Sequence, residues 1–362
     1  MSRIEESAGL LCIGNVIVDF FARGDRDFAR RHGIDQSVQH LEYEALAAAL
    51  RELPDKFSCS GGGAANVAKI AGLLGMEVCF MGAAGRSPDS GGLDERGRFF
   101  EAELSAAGVK TRLFPRNVPT GCCLILKLGE EGKSRGSAGE EETRIAAAPS
   151  AALKLDRQDI REEDIRRAGV VVIDGYLMER QDLVRQVLDL ANRSGTAVAL
   201  DLSSAAIARA RAHEIVTYGR IYPLILFMNE DESTAFYETL SNREIGEGAE
   251  ELEYFTEDMY RFFLGLTVNE IFPIVVVKRG KWGAVVFAGG NTLKSRTFAV
   301  HPHDSTGAGD AFCAAFVSAW LRGMPLLKCA DLGNKTARLV LEAPGAQIAQ
   351  KKLKGLRKIL DH

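Results

Sequence analysis

Several features that would settle the class of this chain at once are missing from its sequence. The seven cysteines are odd in number and show no C-x-x-C spacing, so neither a disulfide framework nor a zinc site is predicted, and a reducing cytoplasm is expected. The six histidines contain no H-x-x-x-H pair, and His301 and His303, which precede a glycine-rich loop, stay as minor catalytic or metal candidates. No G-x-x-x-x-G-K-S/T segment is present, which excludes a P-loop phosphate site.

An excess of charge of one sign and long apolar runs are lacking as well. The net charge is −4, and no long basic block occurs before the last dozen residues, so neither nucleic acid nor a membrane surface is predicted as a partner. The apolar run 10–21 is broken by Asn15 and Asp19 and is too short to span a bilayer, so it is predicted as a buried first strand and its continuation. With 362 residues, 46% of them hydrophobic, and no repeat or linker, the chain is predicted to be a single domain over 1–362.

Runs of Val, Ile and Leu alternate with helical segments along much of the chain, which is typical of a mostly parallel α/β sheet covered on both faces. Strands are predicted at 10–13, 78–82, 122–128, 170–174, 197–202, 224–228 and 274–278, a hairpin at 284–289 and 293–299, and helices at 178–192 and 256–266. Ligands of such sheets bind at the carboxyl ends of the strands. The polar residues at these ends are Asp174, Asp201, Asn229 with Glu232, and Lys278.

The segment 304–312 concentrates the chemistry of the chain. Gly307, Ala308 and Gly309 open a predicted helix, and their free N–H groups at its positive end suit a phosphate or a developing oxyanion. Asp310, in the first turn, is placed for general-base work. Two other interpretations stay open, namely that these residues only form a turn and complement the helix dipole, or that they belong to a dinucleotide fingerprint. The fingerprint match is weak because Phe312 replaces its third glycine.

Two further segments carry polar or glycine-rich signals. Gly61, Gly62 and Gly63 precede a helix with Asn66 in its first turn, and they either offer backbone N–H groups to a ligand or make a tight turn. Asn15 and Asp19 interrupt an apolar stretch, so they either hydrogen-bond to backbone at a strand end or hold a polyhydroxyl ligand.

Together these segments resemble, in order over residues 10–350, the ribokinase-like, or PfkB, family of carbohydrate and nucleoside kinases. The pattern is most similar to adenosine kinase and its bacterial sugar-kinase relatives. The matching segments are 304–310 for the C-terminal signature, 60–97 for the N-terminal signature, 14–19 for the sugar-binding strand end, 229–232 for the N-x-x-E motif and 334–345 for the nucleotide-flanking segment.

The resemblance implies a three-layer α/β sandwich with a small β-sheet lid, built from segments at about 15–24, 34–43 and 109–148. It implies transfer of the γ-phosphoryl of ATP to a primary hydroxyl of a sugar or nucleoside, with Mg²⁺ and, in parts of the family, a monovalent cation; monomers and homodimers both occur. The residue roles that it implies are base for Asp310, anion hole for Gly307, Ala308 and Gly309, substrate binding for Asn15, Asp19, Gly62, Gly63 and Asn66, nucleotide binding for Asn229, Lys278, Gly280, Gly283, Thr306 and Asn334, and Mg²⁺ binding for Glu232.

The chain departs from the family pattern in three places. Residues 86–93 lengthen a link that is usually short, residues 130–142 form a charged excursion predicted as a mobile surface loop, and Lys278 replaces a small hydroxyl residue. The alternative function is a non-catalytic binding or regulatory member of the same fold, which would be expected to have lost Asp310 or the glycine loop.

Overall fold

The computed structural model of the chain describes residues 9–129, 142–243, 255–297, 306–342, 348 and 350–360. The strands in these ranges are β1 (Gly9–Ile13), β2 (Ile17–Gly24), β3 (Val38–His40), β4 (Lys56–Gly61), β5 (Val78–Gly85), β6 (Lys110–Arg116), β7 (Thr120–Leu128), β8 (Glu142–Ser150), β9 (Ala168–Asp174), β10 (Ala197–Asp201), β11 (Leu224–Asn229), β12 (Ile274–Lys278), β13 (Ala284–Ala288) and β14 (Asn291–Ser295). The helices are α1 (Arg26–Arg31), α2 (Tyr43–Glu52), α3 (Gly63–Leu73), α4 (Glu95–Ala106), α5 (Glu162–Arg166), α6 (Gln181–Ser194), α7 (Ala205–Ile221), α8 (Glu230–Ser241), α9 (Glu257–Val268), α10 (Ala308–Leu321), α11 (Leu326–Val340) and α12 (Gln350–Leu360). The predicted loop 130–142, apart from Glu142, lies outside the described residues, as do His301 and His303.

A nine-stranded sheet forms the centre of the fold, in the order β14-β13-β12-β11-β10-β9-β1-β5-β6. Its strands from β12 to β6 pair in parallel, whereas β13 and β14 form an antiparallel hairpin at one edge. One face packs on α3, α10 and α11, and the other packs on α6, α7, α8 and α9. This arrangement confirms the predicted three-layer sandwich, because continuous Val and Ile strands need apolar cover on both faces.

The helices α3 and α10 are buried on nearly all sides and pack against each other. Small residues also allow α3 to approach its other neighbours closely. A Cβ atom on Gly72 would lie 2.5 Å from the carbonyl oxygen of Ala107, and one on Gly14 would lie 2.6 Å from Cβ of Ala64. Because both helices begin at the carboxyl edge of the parallel strands, their N-termini meet there.

The apolar run 10–21 is not one strand with a continuation in the same sheet. β1 ends at Ile13, the amide of Gly14 donates to the carbonyl of Met81, and the chain then leaves the large sheet to start β2. β2 belongs to a second sheet of five strands, in the order β3-β8-β7-β2-β4. The break falls at Gly14 and Asn15, where the apolar pattern is interrupted.

The small sheet differs in two ways from the predicted lid segments. β6, inside the predicted segment 109–148, pairs in parallel with β5 in the large sheet, since it follows β5 and α4 as a crossover strand. β4 lies outside every predicted segment but pairs antiparallel with β2. Because several residues of β4 are polar or exposed, the segment shows no apolar periodicity that would predict a strand. One face of the small sheet is covered by α1 and α2. No helix in the described ranges is long and apolar enough to cross a membrane.

Candidate active site

The N-terminus of α10 supplies a row of backbone donors. Gly307 is the N-cap residue of α10, with a backbone in the left-handed region (φ 78°) and no side chain to bond the free amides. Its carbonyl accepts from the amide of Ala311 at 2.9 Å. The amides of Ala308 and Gly309 lie in the first turn, where a helix has no internal acceptor for them. The structure therefore places these amides at the start of a helix, as predicted, and their role as an anion site stays a prediction.

Asp310 and Asn66 meet across the two helix N-termini. The side-chain amide of Asn66 donates to Oδ2 of Asp310 at 2.8 Å, although the two residues are 244 positions apart in the chain. Asn66 is 5% exposed, and its Oδ1 atom has no hydrogen-bond partner among the described residues. A buried acceptor without a partner is uncommon, so Oδ1 is available to a hydroxyl group of a ligand.

The pKa of the Asp310 carboxyl group is raised towards neutral pH. Burial raises its pKa from 3.8 to about 7, and the nearby charges of Asp201 and Asp174 add to this effect. The hydrogen bond from Asn66 and the charge of Lys278 oppose it. A general base works best when its pKa lies near the working pH, so Asp310 is suited to take a proton from a hydroxyl group.

Two polar residues complete the wall around Asp310. The carboxylate of Asp174 accepts from the amides of Ala64 at 3.2 Å and Leu177 at 3.3 Å, and burial raises its pKa to about 6. Ser203 has a positive φ of 62°, which is uncommon for a residue other than glycine. A Cβ atom on Gly63 would lie 3.2 Å from Cβ of Asp174, 3.5 Å from Oγ of Ser203 and 3.5 Å from Oδ1 of Asp310, so these residues share one space.

Sequence reasoning missed Ser203 and gave Asp174 no role. Asp174 was visible as a polar residue at a strand end, but Ser203 lies beyond the end of β10 and carries no signal that separates it from other loop serines. Its position depends on the backbone path, and a single sequence does not show that path.

Lys278 and Asp201 form a buried ion pair beside the anion site. Nζ of Lys278 lies 2.8 Å and 2.6 Å from the two carboxylate oxygens of Asp201. Burial by itself lowers the pKa of Lys278, but the carboxylates of Asp201 and Glu232 outweigh burial and raise it. Lys278 is therefore a permanent cation in a site otherwise rich in carboxylates.

Asn229 and Glu232 form a capping box at the start of α8. The Glu232 carboxylate accepts from the backbone amide of Asn229 at 2.8 Å and from its side-chain amide at 2.9 Å, while Oδ1 of Asn229 accepts from the amide of Glu232 at 2.8 Å. Burial raises the pKa of Glu232 to about 7, Lys278 lowers it, and Asp201 and Asp310 raise it further. Among the described residues, no group of three or more His, Cys, Asp or Glu side chains is arranged to hold a metal ion directly.

The expected substrate residues of the small sheet lie next to the start of α3. Gly62 has φ 95°, and a Cβ atom there would lie 2.6 Å from the carbonyl oxygen of Asn15. The carboxylate of Asp19 lies over Gly61, 2.1 Å from the position of a Cβ atom. Asn15, Asp19 and the glycines are thus brought together, because β2 and β4 are neighbours in the small sheet.

The expected nucleotide residues do not all converge on this point. Thr306 directly precedes the N-cap of α10. Gly283 follows β12 and packs on β14, where a Cβ atom would lie 2.1 Å from the carbonyl oxygen of Ser295. The side-chain amide of Asn334 donates to Oγ of Ser295 at 2.8 Å. Gly280 lies in the short turn that joins β12 to Gly283. Gly283 and Asn334 therefore both contact β14, and the side-chain NH₂ group of Asn334 already has a local partner.

One aromatic side chain borders the site. Tyr176 follows Asp174 by two residues and is 37% exposed. Burial raises the pKa of its hydroxyl to about 12, and the acidic groups of Asp174, Cys123, Glu232 and Asp310 raise it as well. The amide of the preceding residue, Gly175, donates to Oγ of Ser203 at 3.4 Å, which puts Tyr176 next to the wall around Asp310. Sequence reasoning identified no aromatic residue at the site. An aromatic residue directly after a polar strand end was the available signal.

The inserted segment 86–93 forms a turn closed by a bridge between Arg86 and Leu93. The next residue, Asp94, caps α4 by accepting from the amide of Gly97 at 2.8 Å. It also accepts from the amide of Thr120 at 2.8 Å and from its hydroxyl at 2.6 Å. Asp94 therefore ties the start of β7 in the small sheet to α4 of the large layer.

Comparisons with known proteins identify the family of the chain. A family model described as pfkB family carbohydrate kinase matches residues 34–353. The curated protein 5-dehydro-2-deoxygluconokinase of Geobacillus kaustophilus is 26% identical over 326 residues, covering 83% of this chain and 84% of the relative. A 5-dehydro-2-deoxygluconokinase of Clostridium botulinum is 24% identical over 297 residues, covering 78% of each.

Solved structures of similar fold include adenosine kinases and a probable sugar kinase. The adenosine kinase from Sinorhizobium meliloti has a TM-score of 0.79 at 24% identity, covering 98% of this chain and 99% of that one. A probable sugar kinase from Rhizobium etli has a TM-score of 0.79 at 21% identity, with the same coverage. The adenosine kinase from Schistosoma mansoni in complex with 2-fluoroadenosine has a TM-score of 0.75 at 16% identity, covering 96% and 99%. The fold predicted from the resemblance, a ribokinase-like sandwich, is confirmed.

Proposed function

Because the chain belongs to the pfkB family of carbohydrate kinases, we propose that it transfers the γ-phosphoryl of ATP to a primary hydroxyl of a sugar or nucleoside, with Asp310 as the general base. The observation that carries this proposal is the contact between Asn66 and Asp310. It joins an open hydrogen-bond acceptor, a carboxyl group with a pKa of about 7 and the free amides of a helix N-terminus in one place.

The reaction follows from these groups. The acceptor oxygen attacks the γ-phosphorus, the bond from that phosphorus to the bridging oxygen breaks, and ADP leaves. Asp310 takes the proton of the acceptor hydroxyl, while the amides of Gly307, Ala308 and Gly309 stabilise negative charge on the moving phosphoryl. Little covalent help is needed, because phosphoryl transfer depends mainly on positioning and on charge.

The residues present fit ATP with Mg²⁺ in an indirect way. Each oxygen of Glu232 accepts a hydrogen bond from Asn229. Glu232 would keep both bonds and hold the ion through water, which suits the reluctance of Mg²⁺ to lose its water ligands. When bound, the ion supplies positive charge to the phosphate oxygens. Thr306 and Lys278 would contact the phosphates, and Gly280, Gly283 and Asn334 would shape the wall beside the nucleotide.

The acceptor is proposed to be neutral. Asn15, Asp19 and Asn66 would hold its hydroxyl groups. Asp19, Asp174 and Asp310 lie around this space, and two nearby cations are each paired with a carboxylate: Lys278 with Asp201, and Lys69, which also bonds to Ser60, with Glu103. A nucleoside or neutral sugar therefore fits better than a carboxylic acid such as 5-dehydro-2-deoxygluconate, which the names of the curated relatives indicate.

Apolar surface favours a nucleoside among the neutral acceptors. Tyr176 borders the site, and Phe21, two residues beyond Asp19 on the same face of β2, packs on Phe57 with ring centroids 6.0 Å apart. These rings would contact a base carried by a ribose. The small sheet would act as the lid, and its closure would exclude water, which competes with the acceptor.

The test is ADP release from ATP and Mg²⁺ with adenosine, other nucleosides, ribose, fructose and a sugar acid. Asp310→Asn is compared with Asp182→Asn, an exposed aspartate in the first turn of α6. We expect turnover on a nucleoside or neutral sugar, a loss of about 100- to 10,000-fold in Asp310→Asn, and no change in the control.

Equal turnover in wild type and Asp310→Asn would contradict the proposed base. ATP binding without turnover on any acceptor would favour the non-catalytic binding or regulatory member of the fold. Preferred turnover on the sugar acid would refute the neutral acceptor and leave the kinase reaction in place. Size-exclusion chromatography with light scattering decides between a monomer and a homodimer.

A further inference from the structure

The ion pair of Lys278 and Asp201 lies at the carboxyl ends of two strands that are not neighbours. β11 separates β12 from β10, so the lysine side chain reaches across the end of β11 to Asp201. The side chains are 12% and 4% exposed. An ammonium has three donors, and within the described part of the chain its hydrogen bonds go to one carboxylate.

The ammonium of Lys278 lies against the first turn of α10. A Cβ atom on Gly309 would be 3.1 Å from Nζ of Lys278. The Cα–Cβ bonds of a helix tilt towards its N-terminus. The ammonium of Lys278 therefore lies at the same end of α10 as the free amides of Gly307, Ala308 and Gly309. The positive charge of the lysine and the backbone donors therefore point into one volume.

The surroundings of that volume are strongly acidic. The charges of Asp201 and Asp174 raise the pKa of Asp310, those of Asp201 and Asp310 raise the pKa of Glu232, and the charge of Lys278 lowers both. A γ-phosphoryl group brings further negative charge. Backbone amides carry only partial charges, so a full positive charge beside them is the strongest favourable contribution that the chain itself offers.

We propose that Lys278 is a catalytic residue that contacts the transferring γ-phosphoryl, while Asp201 holds its ammonium on the side of the α10 amides. This inference rests on the proposed phosphoryl transfer. In this assignment Asp201 is a positioning residue, and a side chain at Gly309 would press on the ammonium, which lies 3.1 Å from the position of a Cβ atom there.

The competing explanation is structural. Removal of one partner from a buried ion pair leaves an uncompensated charge and destabilises a protein whatever its function. Lys278→Met alone therefore does not separate the two explanations. The double variant Asp201→Asn/Lys278→Met removes both charges and keeps similar volumes, so it should fold.

The experiment compares wild type with the double variant by thermal unfolding, by steady-state kinetics and by calorimetric titration with ATP and with ADP. The control is Glu103→Gln/Lys69→Met, which removes a partly buried ion pair (2.9 Å) between α3 and α4. We expect the double variant to fold and kcat to fall about 100- to 1,000-fold, as for loss of one oxyanion donor. The ratio of the ADP to the ATP dissociation constant should fall about 10- to 100-fold in the double variant, because only ATP carries the γ-phosphoryl, and should not change in the control.

Recovery of wild-type kcat in the double variant, or an equal loss of ATP and ADP affinity, would overturn the role of Lys278 and leave the kinase function standing. A wild-type protein that binds neither nucleotide would overturn both.

Discussion

Substitution of Asp310 by Asn should make the protein more stable and less active at the same time. Burial, followed by the charges of Asp201 and Asp174, raises the pKa of Asp310 from 3.8 to about 7, so ionisation of this group destabilises the folded state. Asparagine has nearly the same shape, and its side-chain oxygen still accepts from Asn66. The variant therefore keeps the contact and loses the charge.

The sign and size of the effect follow from linkage. The folded-state pKa lies above the unfolded value of about 3.9, so wild type loses stability relative to Asp310→Asn as the pH rises from about 4 to about 7. A shift of about three pH units at about 1.4 kcal/mol each gives at most about 4 kcal/mol, reached above pH 7. Below pH 4 the carboxyl is protonated in both states, and the difference should vanish.

The assay is urea unfolding of wild type, Asp310→Asn and the exposed control Asp182→Asn between pH 4 and pH 9. The first variant should gain stability steadily up to about pH 7, and the control should follow wild type. A difference that does not depend on pH, or a variant that is less stable than wild type at pH 8, would refute the reasoning. Turnover of wild type should fall below about pH 7, because protonated Asp310 does not act as a base.

Three further substitutions test separate parts of the structure. Glu232→Gln should raise the Mg²⁺ concentration for half-maximal turnover about 10- to 100-fold, as for loss of an outer-sphere ligand, measured by Mg²⁺ titration of ADP release. Asp94→Ala removes three hydrogen bonds and should lower the free energy of unfolding in urea by about 2–4 kcal/mol. Asp25→Ala, which removes one capping bond, should lower it by about 1 kcal/mol. Equal losses would contradict the role of Asp94 in joining β7 to α4. Gly62→Ala should lower the melting temperature more than Gly75→Ala, because both have positive φ but only the first meets a carbonyl oxygen at 2.6 Å.

The large sheet was predictable because its signal is local. Each parallel strand is a run of Val, Ile and Leu, and the observed β9, β10, β11 and β12 agree with the predicted positions to within two residues. β2 lies within a predicted lid segment, whereas β4 was not assigned to the small sheet. β4 reads as a polar segment, and its pairing with β2 depends on contacts about 40 residues apart that no periodicity reveals.

The candidate site residues were predictable where they lie close together in the sequence. Gly307 to Asp310 and Gly61 to Asn66 are such segments, and the structure brings them together. Ser203 and Tyr176 were not found, because each enters the site through the fold and not through a motif. Asn334 and Gly283 were found by resemblance, but their present contacts are with β14, which gives them a structural role in addition to the proposed one.

The three raised carboxyl pKa values have a common origin. Asp174, Glu232 and Asp310 are each desolvated by the same packing of the strand ends against α3, α8 and α10, and the charge of Asp201 raises the pKa of all three. The charge of Asp310 also raises the pKa of Glu232, that of Asp174 raises the pKa of Asp310, and the charge of Lys278 lowers the pKa of Glu232 and of Asp310. Removal of the charge of Asp310 should therefore lower the pKa of Glu232, which Asp310 helps to raise, and the Mg²⁺ response of Asp310→Asn should extend to lower pH than that of wild type.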